Sequence, residues 1–263
     1  MSYYPERIVC LTEETTELLY LLGQEHRIIG ISGFTKRPKH ARKEKPVVSA
    51  FVDANIQKIL DLKPDLVVGF SDIQSDIAKQ LIQNGVNVWI NNQRTIAEIK
   101  SFIVQMGSLV GSYDASIALI KKFDLKASQI KKITDHWLKK PRIYFEEWDD
   151  PIISGIAWVS ELIELAGGED IFKNLSQNSL AKDRIISDPN TIINHQPDII
   201  LVSWCGKKLK KDKIRSREGW DKINAIKNDY LFEIKSEIIL QPGPASLFDG
   251  LDILHNIFLK FKP

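Results

Sequence analysis

The chain is expected to fold as an α/β protein of two lobes, each with a mostly parallel sheet, joined by one long rigid helix. Three observations point there. Short apolar runs alternate with helical periodicity through the first half, the pattern of a parallel sheet with crossover helices. Two segments recur in the same order: residues 59–68 match residues 192–201, 133 positions on, and residues 17–23 match residues 161–167, 144 positions on. Residues 113–138 hold neither glycine nor proline, a stretch more than twice the mean helix of about 11–12 residues. The boundaries implied are an N-terminal lobe over 1–112, a linker helix over 113–138 and a C-terminal lobe over 139–263.

Each element follows from its local pattern. Arg7–Leu11 is a short apolar run and reads as a buried strand. Thr12–Thr16 supply capping residues, and Leu18, Leu19, Leu21 and Leu22 form a helix face that stops at Gly23. Ile28–Ile31 is a second strand, and the basic, proline-bounded stretch 35–46 is a loop. Val47–Phe51 leads into a short helix over Ile56–Leu62, and Lys63-Pro64-Asp65 turns into the strand Leu66–Phe70. A helix over about 74–84 and a strand over Val86–Ile90 follow. Apolar residues at three- and four-residue steps then predict two helices over 95–138, separated near Gly107, Gly111 and Ser112. Lys139-Lys140-Pro141 ends the second of them and a strand over Arg142–Phe145 begins. Each lobe is thereby Rossmann-like, and such sheets bind ligands at the carboxyl ends of their strands, here in the cleft between lobes.

Several classes are excluded or weakened. The 263 residues carry 36 Lys plus Arg against 34 Asp plus Glu, a net charge of only +2, so a nucleic-acid binder is not expected. Two cysteines, Cys10 and Cys205, do not make a disulfide scaffold. No apolar run approaches the ~20 residues of a membrane span. The N-terminal residues show no export signal or lipidation motif, so the expected location is cytoplasmic, or periplasmic if a leader has been removed. No phosphate loop, dinucleotide fingerprint, nucleophile elbow or zinc-protease motif occurs, and the five histidines are scattered. The chain is read as non-catalytic, without a metal site and monomeric.

The strand ends carry the chemistry. Thr12–Thr16 follow the first strand, where polar side chains and helix-start amides can hold a polar ligand edge or simply cap the helix. Phe34, Phe51 and Phe70 follow strands of the first lobe; Trp148, Trp158 and Trp204 fall at strand ends or helix starts in the second. Flat rings in loops suit a large planar or macrocyclic ligand. The Glu146-Glu147 pair offers acid–base or metal chemistry, but adjacent strand residues alternate faces, so one at most reaches the cleft. Cys205 is a packed residue, a nucleophile or an axial ligand. The Lys207–Lys213 stretch is expected to be a solvated loop rather than an anion contact.

The sequence resembles the substrate-binding proteins of ABC importers for cobalamin and ferric siderophores, most closely the cobalamin-binding branch. The segments that carry the resemblance are Arg7–Gly23, Leu62–Val68, Trp158–Phe172, Gln196–Ile200, Gly219–Ile223, Pro242–Pro244 and Asp249–Leu251. It implies two lobes on one rigid helix, with cobalamin or a related corrinoid as ligand rather than as catalytic cofactor. It also implies a cleft lined by Thr12, Glu13, Thr15, Phe34, Phe51, Phe70, Trp148, Trp158, Trp204, Cys205, Gln241 and Pro242. An aromatic cleft of modest charge fits a corrin ring better than an anionic ferric siderophore. Ferric siderophore or haem remains the alternative ligand, and an enzyme or metal-handling protein using Glu146, Glu147 and Cys205, or an interaction protein with a vestigial cleft, the alternative function.

Two departures from the family matter. Members present a surface glutamate on each lobe to arginines of the permease; those positions hold Gln57 and Asn190 here, so permease docking is in doubt. The missing leader adds to the expectation of a cytosolic corrinoid binder that has lost importer docking.

Overall fold

Five short aliphatic runs build the first sheet: β1 (Ile8–Cys10), β2 (Ile28–Ser32), β3 (Val47–Ser49), β4 (Leu66–Phe70) and β5 (Val88–Asn91). Their order is β3-β2-β1-β4-β5 and every pairing is parallel. A central parallel strand is covered on both faces and reads as a continuous apolar run; all five residues of β4 and all three of β1 are buried. The crossover helices Ile56–Asp61 and Ser75–Gln83 lay Ile59, Ile77 and Leu81 against Val9, Leu11, Val48 and Val67 of the sheet side. The Ser75–Gln83 helix buries Ile77, Ala78 and Leu81, a stripe at helical spacing.

The computed structural model describes residues 3–261. The chain divides into two units, one of Met1–Gln93 with Ala97–Lys121 and one of Arg94–Ile96 with Lys122–Pro263. The first holds the sheet just described. The second holds β6 (Arg142–Asp149), β7 (Ile152–Ser154), β8 (Glu169–Asp170), β9 (Ile199–Val202) and β10 (Leu231–Glu233). Its order is β10-β9-β6-β7, with β8 also paired to β6; only β7 runs antiparallel. Its core gathers Tyr144, Ile200, Val202, Trp204, Ile214 and Trp220. The two-lobed α/β class with mostly parallel sheets is the one expected from the sequence.

The two halves reuse one local device. After the Ile56–Asp61 helix, Lys63 adopts a left-handed φ of 49°; after the Asn190–His195 helix, Gln196 adopts 45°. That turn delivers the Pro-Asp step to the next strand in each case. The Asp65 carboxylate accepts from the backbone N–H of Glu6 at 2.7 Å and of Arg7 at 3.0 Å, ahead of β1. The Asp198 carboxylate accepts from the N–H of Arg142 at 2.9 Å, at the start of β6. Each aspartate N–H in turn bonds the carbonyl of that arginine, Asp65 to Arg7 and Asp198 to Arg142. The helices Glu13–Leu21 and Ala157–Leu165 are both nine residues long and both run into a glycine at positive φ, Gly23 at 68° and Gly167 at 98°.

Three boundaries differ from the sequence reading. The long helix spans Tyr113–Thr134 and stops four residues short of 138. Residues 135–137 turn instead, with the Trp137 N–H bonded to the Thr134 carbonyl, and the Trp137 ring stacks on His255 with its centroid 6.1 Å away. β5 begins at Val88 rather than Val86. β6 continues four residues beyond Phe145, because β7 pairs with its far end through Glu146, Trp148 and Asp149.

Candidate functional site

In the first unit, parallel strands bring the expected residues to one edge of the sheet. Thr12, Glu13 and Thr15 follow β1, Phe34 follows β2, Phe51 follows β3, and Phe70 ends β4. Gln74, which the sequence reading did not single out, ties these ends together. Its carboxamide oxygen accepts from the Phe70 N–H at 2.9 Å, and its amide donates to the carbonyls of Phe51 at 2.9 Å and Leu11 at 3.3 Å. Gly69 makes room for it: a Cβ there would lie 2.4 Å from the Gln74 oxygen and 2.8 Å from Ile90 Cδ1. No local signal marks Gln74, because its partners are set by the crossing of three strands.

The residues at this edge differ in availability. Phe34 is 47% exposed and lines a hollow of about 500 Å³ with Gly33, Ser49, Ala50 and Asp53. Phe51 is half-buried and Phe70 buried. Thr12 and Thr15 are buried and bond inward: Thr12 Oγ1 donates to Glu14, and Thr15 Oγ1 donates to the Thr12 carbonyl at 2.9 Å. Their side chains order the start of the helix, while Glu13 is half-buried. Burial pushes the Glu14 carboxyl up to about 7, against the pull of the Thr12 hydroxyl. Burial also pushes the Cys10 thiol up to about 12, against hydrogen bonds from Thr15 and Thr16, so that cysteine is inert.

In the second unit, Trp148 lies near the end of β6, and Trp204 and Cys205 just beyond β9, so parallel pairing of β6 with β9 places them at one edge. Trp204 is 4% exposed and belongs to the core, with Trp148 half-buried against it. Cys205 is exposed. Trp158 is buried on the first turn of its helix, and its indole N–H donates to the Ile239 carbonyl at 2.9 Å. That bond fixes the segment just before Gln241, which is half-buried, and Pro242, which is buried.

The carboxylates of β6 are engaged by cations. Glu146 is fully buried; Arg217 grips it with two bonds of 2.6 and 2.9 Å, and the Tyr144 hydroxyl adds a third at 2.8 Å. Burial first, then the Glu146 charge and hydrogen bond, hold the Tyr144 phenol well above its ordinary range. Arg184, also buried, bonds both oxygens of Glu147 at 2.6 and 3.0 Å. Two forked guanidinium pairs of this kind serve structure. Asp149, whose side chain is fully buried, takes Lys207 on both oxygens at 2.7 Å and Lys213 on one of them. Burial raises its pKa, but the two lysines override that and hold it below the usual range. The Lys207–Lys213 stretch is largely exposed, in keeping with a solvated segment, but its two end lysines are tied to Asp149. The Lys207 ammonium also sits over both tryptophans, 5.3 Å from the Trp148 ring centroid and 5.1 Å from that of Trp204. These arginine and lysine partners lie far away in sequence from β6, beyond the reach of any spacing rule.

Among the described residues no group of three or more His, Cys, Asp or Glu is placed to hold a metal ion, and no helix is long and apolar enough to cross a membrane. Gln57 and Asn190 are both exposed, and each amide donates to a nearby carboxylate, Gln57 to Asp61 at 2.8 Å and Asn190 to Asp188 at 2.9 Å.

The chain is similar to the uncharacterized ABC transporter substrate-binding lipoprotein YvrC of Bacillus subtilis, at 26% identity over 95% of this chain and 79% of that protein. It is similar to the vitamin B12-binding protein of Vibrio parahaemolyticus, at 25% identity over 92% of this chain and 86% of the other. Among solved structures, the periplasmic vitamin B12 binding protein BtuF of Vibrio cholerae aligns with a TM-score of 0.76 and 22% identity, over 98% of each chain. IsdE of S. aureus, complexed with heme, aligns with a TM-score of 0.80 and 19% identity, over 96% of this chain and 98% of the other. Residues 8–238 match the periplasmic binding protein family over most of the chain's length, and the protein belongs to that family.

Proposed function

We propose that this protein is a substrate-binding protein whose ligand is cobalamin or a related corrinoid, held without chemical change. The observation that carries the reading is the gathering of aromatic rings at strand ends in each unit: Phe34 and Phe51 beside β2 and β3, and Trp148 with Trp204 beside β6 and β9. Flat rings offer stacking area to a macrocycle at low ordering cost. The vitamin B12-binding relatives, matched along 92% of the chain, support the same ligand class. The nearby carboxylates Glu146 and Glu147 are each held by a guanidinium, which leaves no obvious acid–base pair at β6 and favours binding over catalysis. In this reading Trp158 supports the ligand-contacting segment from behind, through its bond to Ile239.

Haem is the second reading, favoured by the lysine cations beside Trp148 and Trp204, which suit carboxylates on a planar ring. A cytosolic role without importer docking is the finer form of the proposal. Its support is that exposed amides, already occupied by Asp61 and Asp188, stand where a charged docking group is expected.

Calorimetric titration with cyanocobalamin and with haemin tests the ligand. The proposal expects one corrinoid per chain, and Trp148→Ala to weaken it by about 1–3 kcal/mol. Saturable haemin binding with no uptake of the aquo, methyl or cyano corrinoids would replace the first reading by the second. A reporter active only outside the cytoplasm, fused to the intact gene product, tests location: activity would overturn the cytosolic form.

A further inference from the structure

We propose that Lys207 is a specificity-determining residue that reads an anionic group at the edge of the ligand. The inference rests on the ligand-binding reading of Trp148 and Trp204 given above. It begins from charge at the end of β6. Glu146 is matched by Arg217 and Glu147 by Arg184, one cation to each carboxylate. Asp149 instead carries two ammonium groups, Lys207 and Lys213, so this one carboxylate has a second cation.

Either ammonium can leave Asp149 to the other, but Lys207 is the one placed over both tryptophan rings, while Lys213 lies 5.9 Å from the Trp204 centroid. Removing the sole partner of a buried carboxylate strands an uncompensated charge and is strongly unfavourable. Lys213 remains on Asp149 when Lys207 leaves, so that penalty does not arise. The Lys207 side chain is 42% exposed, whereas that of Asp149 is fully buried. Lys207 therefore exchanges its partner without unfolding its surroundings.

Its present position couples the exchange to ligand stacking. The ammonium lies over the rings of both Trp148 and Trp204, within the ~6 Å range of a cation–π contact. A planar ligand stacked on the half-buried Trp148 ring displaces it. A neutral ligand edge gives the displaced ammonium nothing in return, whereas a phosphodiester or carboxylate restores an ion pair. The Trp204 indole nitrogen adds a second donor: it is buried and has no hydrogen-bond partner among the described residues. A buried donor left unpaired is unfavourable, and an anionic acceptor arriving at the same place satisfies it.

Two ligand pairs distinguish the sources of the anion. Cyanocobalamin carries a phosphodiester that dicyanocobinamide lacks; haemin carries carboxylates that its dimethyl ester masks. The wild-type chain is expected to prefer the anionic member of the pair it binds by about tenfold or more. Lys207→Met should reduce that preference to within about twofold, Lys207→Arg should retain it, and Lys208→Met, at the exposed neighbour, should leave it unchanged. Retention of the full preference in Lys207→Met, or equal weakening of both members, would overturn the role of Lys207. If only the haemin pair binds, and Lys207→Met loses its preference, Lys207 stands while the corrinoid reading falls. Failure of the wild-type chain to bind any of the four overturns both.

Discussion

Glu14 couples the first strand end to pH. It is buried with a carboxyl pushed up to about 7, chiefly by desolvation. An acid whose folded pKa lies above its unfolded value binds more protons when folded. Its stabilising contribution is therefore complete below the unfolded value of about 4.3 and is lost as pH rises towards the folded value. The loss is about 3 kcal/mol over the window from roughly pH 4 to 7. Glu14→Gln keeps the acceptor for the Thr12 hydroxyl and removes the charge. Urea unfolding should then show the variant more stable than wild type at pH 8, with a flatter slope between pH 5 and 7. An unchanged slope would mean that Glu14 is not the titrating group. Arg217 gives the opposite case, a cation retained for a buried anion. Arg217→Met leaves Glu146 buried and unpaired and should cost about 3–5 kcal/mol in the same assay.

At the scale of elements, the Pro-Asp turns do for two strands what no helix cap can. Asp65 holds two backbone N–H groups ahead of β1, and Asp65→Ala should destabilise the chain by about 1–3 kcal/mol, read from the urea midpoint at constant slope. The recurrence of this turn was legible in the sequence because it depends on adjacent residues: a helix end, a residue that tolerates positive φ, proline, aspartate and an apolar run. The strands of the first unit and the helices between them were legible for the same reason, whereas β7, β8 and β10 of the second unit are too short to leave a pattern. Gln74 was not, since its partners Leu11 and Phe51 come from other strands. The long helix ends at Thr134 rather than 138, and Trp137 just beyond it stacks on His255, 118 residues later, a contact of which helical periodicity carries no record. Gly69 marks the same limit: Gly69→Ala would crowd Gln74 and Ile90, which the sequence alone presents as an ordinary strand glycine.

For the molecule as a whole, the internal repeat, the mostly parallel sheets and the match to the periplasmic binding protein family describe one architecture, a pair of related α/β units. The overall charge of +2 conceals local order. Cations are distributed singly to Glu146 and Glu147 and doubly to Asp149, beside the two tryptophans read as ligand contacts. The aromatic set was legible as residue types at strand ends. Which rings face a ligand and which complete the core was not, since burial of Trp158 and Trp204 depends on contacts with Ile239 and with the core of their unit.

The ligand carried by the native protein tests the central claim most directly. The protein should be purified from its own host without added ligand, and its absorption spectrum and metal content measured. Corrin absorption bands with about one cobalt per chain are expected. A haem Soret band with iron and no cobalt, or a colourless protein that takes up no corrinoid afterwards, would contradict the claim.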